Sequence, residues 1–245
     1  MAERLGRLSL ARRDELRARL VAGIPRWYNP WLHLVVPSLV GLGVLVACTL
    51  LLRGVKPIEL LTVPATFLVI NAGEWRIHRD ILHKRTPPLT VLYDRHTPEH
   101  HMVFVTDDMA IRSWREFYLV LIPAYGIVAA AFGALPFPLL LWLGFGLRNP
   151  ALLFMATTMV YVVLYEWLHL SYHLPADSFI GRLRLIQILR RHHAVHHAPE
   201  LMQKWNFNVT IPLWDWVRRT IYRDAVPSSS TVTATGSAPS ASRSR

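Results

Sequence analysis

Ten of the twelve histidines lie in four short clusters, and neutral imidazole is a good ligand for iron, zinc, copper and nickel. The clusters have the spacings His-x4-His, His-x3-His-His, His-x3-His and His-x2-His-His. Their members are, in chain order, His78, His83, His96, His100, His101, His169, His173, His193, His196 and His197. Residues three or four apart share a helix face, so members of one cluster can point at one ion. Because a zinc ion takes about three or four protein ligands, ten imidazoles predict two ions with a position left open for O2 or water.

The remaining histidines and the single cysteine limit the alternatives. His33 stands apart at the start of an apolar stretch and is predicted to be an interfacial residue. His192 and His193 are adjacent, so either could be the first ligand of the fourth cluster. The x2 spacing to His196 favours His193 as that ligand. Cys48 is the only cysteine, which excludes an internal disulfide and any Cys-based zinc or iron–sulfur cluster.

Acidic residues near the histidines are candidate hydrogen-bond partners of the rings. Metal-bound histidine usually donates its other ring N–H to a carboxylate or a carbonyl, and Glu74, Glu99 and Glu166 lie close to histidines in the sequence. Glu166 and His169 also form an E-x-x-H pair, so direct ligation by Glu166 stays open beside that supporting role. Glu59 is predicted to be an ordinary interfacial acid on the opposite side of the membrane.

The elements that position these histidines are predicted to be membrane helices. Hydrophobic residues make up 52% of the 245 residues and charged residues 18%, against about 25% charged in a typical soluble domain. The uncharged stretch 32–52 reaches roughly 30 Å as a helix, enough to cross the hydrocarbon core. Further spans are predicted at 58–75, 117–135 and 151–168, and residues 136–147 are predicted to form a re-entrant or capping arm. The fold class is therefore all-α, with about four transmembrane helices and a helical cap that carries the dimetal site.

Charge and composition define the remaining segments. Residues 1–26 are rich in Arg and Leu, a composition that predicts an amphipathic helix on a membrane surface. Residues 27–226 are predicted to form the membrane-embedded catalytic domain. Residues 227–245 are predicted to form a disordered tail. All but three of the 27 lysines and arginines fall on one side of a four-span topology. The positive-inside rule then predicts that both termini and all four histidine clusters are cytoplasmic.

The clusters resemble the histidine boxes of the fatty acid hydroxylase/sterol desaturase superfamily of integral-membrane di-iron oxygenases. The likeness covers about residues 74–222 and includes the segment 206–215, which is similar to the family's Asn-aromatic-small…Pro-x-Trp-Asp stretch. There are two departures. The second cluster has x3 where many members have x2, which puts the placement of His96 in doubt, and Asn208 occupies a position often held by glycine.

The resemblance implies a lipid-modifying oxygenase with O2 as co-substrate. It implies two iron ions, with zinc as a substitute, held by the ten clustered histidines, and no catalytic side chain beyond these ligands. The lipid enters from the bilayer, and C–H hydroxylation in lipid biosynthesis or modification is the favoured reaction. Residues that would support the site without reacting are Trp205, Asn206, Asn208, Trp214 and Asp215.

Electrons are expected from a separate donor of the ferredoxin or cytochrome type. The chain has no cysteine cluster, no G-x-G-x-x-G motif and no spare domain for haem or flavin. Basic residues after the last span offer a docking face for an acidic protein or for lipid headgroups, and these two roles stay open. No motif for nucleic-acid binding accompanies the net charge of +11, so no nucleic-acid partner is predicted.

Three other functions remain as alternatives. A desaturase would use the same metal site and remove two hydrogens from the lipid. A dinuclear zinc hydrolase would cleave an ester or a phosphate without O2. A metal transporter is disfavoured, because transporter ligands usually lie near the bilayer midplane whereas these histidines lie beyond the ends of the predicted spans.

Overall fold

This computed structural model describes residues 8–123, 126 and 132–223, and the elements of secondary structure within them are helices joined by loops. The α-helices are α1 (Leu10–Gly23), α2 (Pro30–Leu51), α3 (Thr62–Ile77), α4 (Thr90–Asp94), α5 (His101–Val103), α6 (Phe117–Val120), α7 (Pro136–Leu139), α8 (Arg148–His173), α9 (Arg184–His196) and α10 (Leu213–Arg218). Turns of 3₁₀-helix lie at Pro57–Leu61 and Trp114–Glu116, and π-helical turns lie at His78–Leu82, Arg95–His100 and Leu140–Gly144. Among these residues the all-α expectation is confirmed, since the one β contact is an isolated bridge between Val105 and Asp108.

Two helices, α2 and α8, are long and apolar enough to cross a membrane. The start of α2 is set by Asn29, whose Oδ1 accepts hydrogen bonds from the backbone N–H of Trp31 at 2.9 Å and of Leu32 at 3.1 Å. Pro30 follows at the first helical position, where its missing N–H costs nothing. The predicted spans at 32–52 and 151–168 therefore coincide with helices of spanning length.

The other two predicted spans are not established. The stretch 58–75 forms a 3₁₀ turn and then α3, whose 16 residues are fewer than a typical spanning helix needs. The prediction for 117–135 is wrong at its start, because α6 ends at Val120 and Leu121 is extended. Phe117 and Val120 are buried in the protein core, so the apolarity of this stretch serves packing inside the protein. The rest of it lies partly outside the described residues, and the count of four spans and the cytoplasmic orientation stay predictions.

The two helices of spanning length, α2 and α8, run side by side in close contact. Gly41 of α2 permits this approach, since a Cβ atom there would lie 2.5 Å from the Cγ2 of Val163 on α8. The helices α3, α9 and α10 extend the assembly, because α3 and α9 pack against α8 and α10 packs against α3. The carboxyl end of α8 thus enters a cap formed by the shorter helices.

The helix α1 lies against the cap, which corrects the prediction of a helix whose apolar face rests on a membrane. Leu16 and Leu20 pack on the buried core cluster of the cap. Arg17 is buried and donates from Nη2 to the Ala110 carbonyl at 2.7 Å and from Nε to the Glu116 carboxylate at 3.2 Å. The pattern of Leu and Arg in the sequence does not indicate that Glu116, 99 residues away, is the charged partner of Arg17. Residues 1–7 and the predicted tail 227–245 lie outside the described part of the chain.

Candidate metal centre

The ten clustered histidines come together in two groups of five, in which one ring nitrogen from each residue lies within 4.8 Å of the others. Site 1 consists of His78, His83, His96, His101 and His196. Site 2 consists of His100, His169, His173, His193 and His197. Nine of the ten side chains are buried and His96 is partly buried. The two sites are neighbours, because the rings of His101 and His197 stack with centroids 4.1 Å apart.

Site 1 depends on two π-helical turns. His78 and His83 are five residues apart, as are His96 and His101, and on an ordinary α-helix such residues point about 140° away from each other. Each pair instead spans a π turn. In the second turn, the backbone N–H of His101 donates to the carbonyl of His96, five residues earlier. The ring centroids of the two pairs are 5.2 Å and 4.6 Å apart. The extra residue in the second cluster is accommodated by this wider turn, so His96 takes its place among the other rings.

Site 2 uses ordinary helical spacing. His169 and His173 lie one turn apart at the end of α8, with ring centroids 5.1 Å apart. His193 and His197 lie one turn apart at the end of α9, with centroids 4.5 Å apart. Two of the sequence clusters are divided between the sites, because His100 joins site 2 whereas His196 joins site 1. A shared face was expected for all three histidines of the fourth cluster, but only His193 and His197 point into the same site.

Backbone carbonyl oxygens hold five of the rings through Nδ1. Each Nδ1–H donates to a carbonyl, so the Nε2 atom of that ring keeps its lone pair free. The donor and acceptor pairs are His78 to Phe207, His100 to Leu119 at 2.9 Å, His173 to Met109 at 2.8 Å, His196 to Trp205 at 2.9 Å and His197 to Phe104 at 2.6 Å. This arrangement is the one that orients histidine for metal binding through Nε2.

Thr97 fixes a sixth ring, that of His83. Its hydroxyl donates to the Leu82 carbonyl at 2.6 Å, so its oxygen accepts from the Nδ1–H of His83 at 3.1 Å. The Nε2 of His83 then lies 2.9 Å from the Nε2 of His196 with no proton on either atom. Two lone pairs at this distance repel each other unless a cation lies between them. A metal with about 2.1 Å bonds to nitrogen places neighbouring ligand atoms about 3.0 Å apart, so the pair fits a shared ion.

Site 2 contains buried nitrogen atoms that have no hydrogen-bond partner in the described structure. They are Nε2 of His100, Nε2 of His173, Nδ1 of His193 and both ring nitrogens of His169. Buried polar atoms without partners are rare because each costs free energy. A metal ion bound at the centre of site 2 would supply a partner for Nε2 of His100, Nε2 of His173 and one nitrogen of His169, so these residues also fit such a group.

Burial keeps the imidazoles neutral. It lowers the pKa of His78 to about 3 and the pKa of His100 to about 4, because the charged ring would lose its hydration. Neutral imidazole is the form that ligates metals. At neutral pH these rings are therefore available as ligands without first releasing a proton.

The carboxylates predicted to support the rings form no hydrogen bond with an imidazole in the described part of the chain. Glu166 accepts from the backbone N–H of Ile122 at 3.3 Å and belongs to neither site, and His169 makes no hydrogen bond to it. Glu99 is half-buried and forms no hydrogen bond with an imidazole in the part of the chain that is described. Glu74 accepts from the Thr210 N–H at 3.1 Å. The ring partners that the sequence did not reveal are the Thr97 hydroxyl and the individual backbone carbonyls. Every residue has a backbone carbonyl, so residue type does not show which one accepts from a histidine.

Asn206, Asn208 and Asp215 lie behind site 1 and hold its carbonyl acceptors in place. Asp215 accepts from the backbone N–H of Phe207 at 2.9 Å and of Asn208 at 2.8 Å, and Asn208 Oδ1 accepts from the Asp215 N–H at 3.0 Å. Asn206 has a positive φ of 57° and donates from Nδ2 to the His192 carbonyl at 2.8 Å. These contacts fix the loop whose Phe207 carbonyl accepts from His78.

His33 and His192 lie outside both sites, as their sequence positions predict. The Nε2–H of His33 donates to the Ile122 carbonyl at 2.9 Å, and its Nδ1 accepts from the Tyr28 hydroxyl at 2.8 Å. His192 contacts the Asp215 carboxylate at 3.1 Å. Glu59 accepts from the Lys56 N–H at 2.7 Å, far along the chain from the histidines.

Comparison with known protein families gives a significant match. The model of the fatty acid hydroxylase family matches residues 63–220, a range that contains all ten histidines of the two sites. No curated protein and no solved structure shows a significant match.

Proposed function

The chain belongs to the fatty acid hydroxylase family, within the sterol desaturase/fatty acid hydroxylase superfamily, and we propose that it is a membrane-bound di-iron oxygenase that hydroxylates a lipid. The observation that carries the proposal is the pair of adjacent five-histidine sites. When bound there, two iron ions would supply the O2-dependent oxidation of an unactivated C–H bond. The five imidazoles of each site would hold one of these ions.

The residues of this chain bind and orient the metals and keep water away from them. The carbonyls that accept from Nδ1 fix each ring before an ion binds, which reduces the reorganisation that binding requires. Fully buried aromatic side chains surround the rings, among them Phe104, Tyr172 and Phe207. Such a shell protects a reactive centre from side reactions with water.

The position of the sites supports a lipid substrate. The helix α8 begins as a spanning helix and ends in His169 and His173, so site 2 lies at the end of a membrane helix. The outward faces of α2 and α3 carry exposed apolar side chains such as Leu39, Leu50 and Val69, which suit contact with lipid tails. A substrate dissolved in the bilayer reaches this centre without crossing water.

We propose that electrons arrive from a separate acidic protein of the ferredoxin or cytochrome type. The basic residues after α8 are Arg182, Arg184, Arg190, Arg191, Lys204, Arg218, Arg219 and Arg223. All but Arg190 are exposed, whereas Arg190 donates to the Leu174 carbonyl at 2.9 Å. Opposite charge on the donor would speed its association with this face and make it salt-dependent. The cytoplasmic placement of this face is part of the same proposal.

The decisive experiment compares lipid products with and without O2. Membranes that contain the protein, an iron source and a reducing system should form a lipid product one oxygen atom heavier than its precursor, and only when O2 is present. A product that has lost two hydrogens would assign a desaturase instead. Full activity under anaerobic conditions, with zinc bound, would assign a hydrolase and end the oxygenase proposal.

A further inference from the structure

A loop of residues 104–113, which we call the acceptor loop, supplies the carbonyl oxygens that hold two ligands of site 2. The Phe104 carbonyl accepts from the Nδ1–H of His197 at 2.6 Å, and the Met109 carbonyl accepts from the Nδ1–H of His173 at 2.8 Å. A partner behind a metal-bound histidine fixes the orientation of its ring. The orientation of these two rings therefore depends on how firmly the acceptor loop is held.

The acceptor loop also contacts site 2 in two other ways. The backbone N–H of Ile111 donates to the His173 carbonyl at 2.7 Å, which joins the loop to the end of α8. The ring of Phe104 lies against the rings of His100 and His173, with centroids 5.2 Å and 4.8 Å apart. A displacement of the loop would therefore disturb three of the five rings of site 2, including that of His197.

Arg17 of α1 holds the acceptor loop from the side opposite to the metal site. Its buried guanidinium donates from Nη2 to the carbonyl of Ala110, the residue after Met109, at 2.7 Å. Its Nη1 lies 3.5 Å from the Asp108 carboxylate. The guanidinium carbon lies 5.1 Å from the centre of the Phe104 ring, which is a cation–π contact. One side chain of α1 thus contacts the loop beside both of its carbonyl acceptors.

Glu116 fixes the position of the Arg17 guanidinium. Its buried carboxylate accepts from the Nε–H of Arg17 at 3.2 Å and from the backbone N–H of Arg112, in the acceptor loop, at 3.1 Å. Separation of two buried opposite charges is strongly unfavourable, because each would be left without its partner. The pair therefore attaches α1 to the acceptor loop in one defined geometry.

On the basis of the metal sites proposed above, we infer that α1 supports site 2 and that Arg17 is a positioning residue for it. Arg17 holds the acceptor loop so that His173 and His197 keep the ring orientations that metal binding requires. The match to the fatty acid hydroxylase family covers residues 63–220, and α1 precedes this range. The support of site 2 by α1 is therefore an addition to what the family match describes.

The support of site 1 comes from another part of the chain. Its rings donate to the carbonyls of Trp205 and Phe207, which belong to the loop that Asp215 organises. Loss of Arg17 should therefore weaken the binding of the ion in site 2 and leave the ion in site 1 unaffected. A residue that only stabilised the fold would lower thermal stability without distinguishing between the two ions.

The test measures the affinity of each ion separately, by competition of a chelator for iron(II) under anaerobic conditions. His196→Ala impairs site 1, so the tighter ion left in that variant is the one in site 2. His173→Ala impairs site 2, so the tighter ion left is the one in site 1. Adding Arg17→Met, which removes every donor of the side chain, should weaken the remaining ion about tenfold in the first background, the lower end of the usual cost of losing support behind a ligand. It should have no effect in the second.

The matched control is Arg19→Met, at an exposed position of the same helix, which should leave the affinity of both ions unchanged. An unchanged affinity at site 2 in Arg17→Met would overturn the inference. Equal weakening of both ions would show a general loss of structure and would overturn it as well.

A double variant keeps the test valid if Arg17→Met does not fold because Glu116 is left as an unpaired buried charge. Arg17→Met, Glu116→Gln removes both charges of the pair, and the new amide oxygen can still accept from the N–H of Arg112. This double variant should show the same selective loss at site 2, and an affinity equal to that of the wild type would refute the role of Arg17.

Metal affinity does not report oxidation, so the two proposals are judged separately. A selective loss at site 2 in Arg17→Met, together with a wild type that forms no O2-dependent product, would contradict the proposed function and leave the support by α1 intact. A wild type that forms this product but whose site 2 ion is insensitive to Arg17→Met would overturn the support by α1 alone.

Discussion

The two five-histidine sites have the same composition and differ in how the backbone builds them. In site 1, two pairs of ligands project from π turns, and the Nε2 atoms of His83 and His196 are 2.9 Å apart. In site 2, the pairs project from the ends of α8 and α9, and several nitrogen atoms have no partner. His169 makes no hydrogen bond through either nitrogen in the described structure.

This difference indicates a division of roles between the sites. Site 1 is supported from behind by Thr97 and by the loop that Asp215 organises. In site 2, the ring of Tyr165 lies beside that of His169, with centroids 5.8 Å apart, and neither nitrogen of His169 has a hydrogen-bond partner in the described structure. We therefore expect the ion in site 1 to be held more rigidly than the ion in site 2. Each of the variants below separates the two sites by a different measurement.

The largest effect is expected from the loss of a ligand. His196→Ala removes a ring from site 1 and His173→Ala removes one from site 2, so each variant should lose the ion of its own site and lower the metal content toward one per chain. Activity should fall by more than about 100-fold, because even the loss of a residue that supports a ligand costs 10- to 100-fold. Metal content is measured by inductively coupled plasma mass spectrometry and activity by the lipid product.

His33→Ala is the matched control for both ligand variants. Its ring is hydrogen-bonded to Tyr28 and Ile122 and belongs to neither site, so the metal content should not change. If His33→Ala, His173→Ala and His196→Ala all retain the same amount of iron, the assignment of ligands is wrong.

Asp215→Ala should destabilise the protein and affect site 1 more than site 2. The substitution leaves the buried N–H groups of Phe207 and Asn208 without an acceptor, and each such group costs about 1–3 kcal/mol. The Phe207 carbonyl that orients His78 loses its support. Thermal unfolding should show the loss of stability, and Asp177→Ala, at an exposed loop position, serves as the control. Equal loss of metal from both sites would contradict the proposed separation.

Thr97→Val should weaken metal binding at site 1 alone. The variant keeps the shape of the side chain and removes the oxygen that accepts from the Nδ1–H of His83. Affinity for one of the two ions should fall by about 10- to 100-fold, the usual cost of losing a partner behind a metal-bound histidine. Competition with a chelator measures it, and Thr86→Val, an exposed threonine, should behave as the wild type. Unchanged affinity at both sites would refute the role of Thr97.

Gly41→Leu is expected to have the smallest effect on the sites. The new side chain forces α2 away from Val163 of α8 and should cost about 1–3 kcal/mol of stability, as overpacking usually does. The π turns of site 1 lie on other elements and should keep their metal. Gly43→Leu, at a position on α2 with open space around it, is the control. A loss of metal from site 1 in Gly41→Leu would show that the sites are more strongly coupled than their separate supports indicate.

The sequence was informative where a pattern repeats at α-helical spacing or at spanning length. The pairs His169/His173 and His193/His197, the helices α2 and α8, and the exclusion of His33 and His192 were all predictable in this way. The convergence of all ten histidines also followed from their number, because buried imidazoles need partners.

The rest depends on backbone conformation and on contacts between distant residues. The π turns at His78 and His96 have no recognised sequence signature, so the x4 spacing did not reveal a shared face. The partner of Arg17 lies 99 residues away, and α1 was therefore assigned to the membrane surface. Phe117 and its neighbours are apolar for packing inside the protein, which composition alone does not distinguish from a membrane span.

The central claim is that two metal ions occupy the two five-histidine sites, and anomalous X-ray scattering from crystals of the iron-loaded protein tests it most directly. Data collected on both sides of the iron and zinc absorption edges should show two iron peaks, one surrounded by the rings of His83 and His196 and the other by those of His169 and His173. A single peak, or peaks away from these nitrogen atoms, would contradict the account.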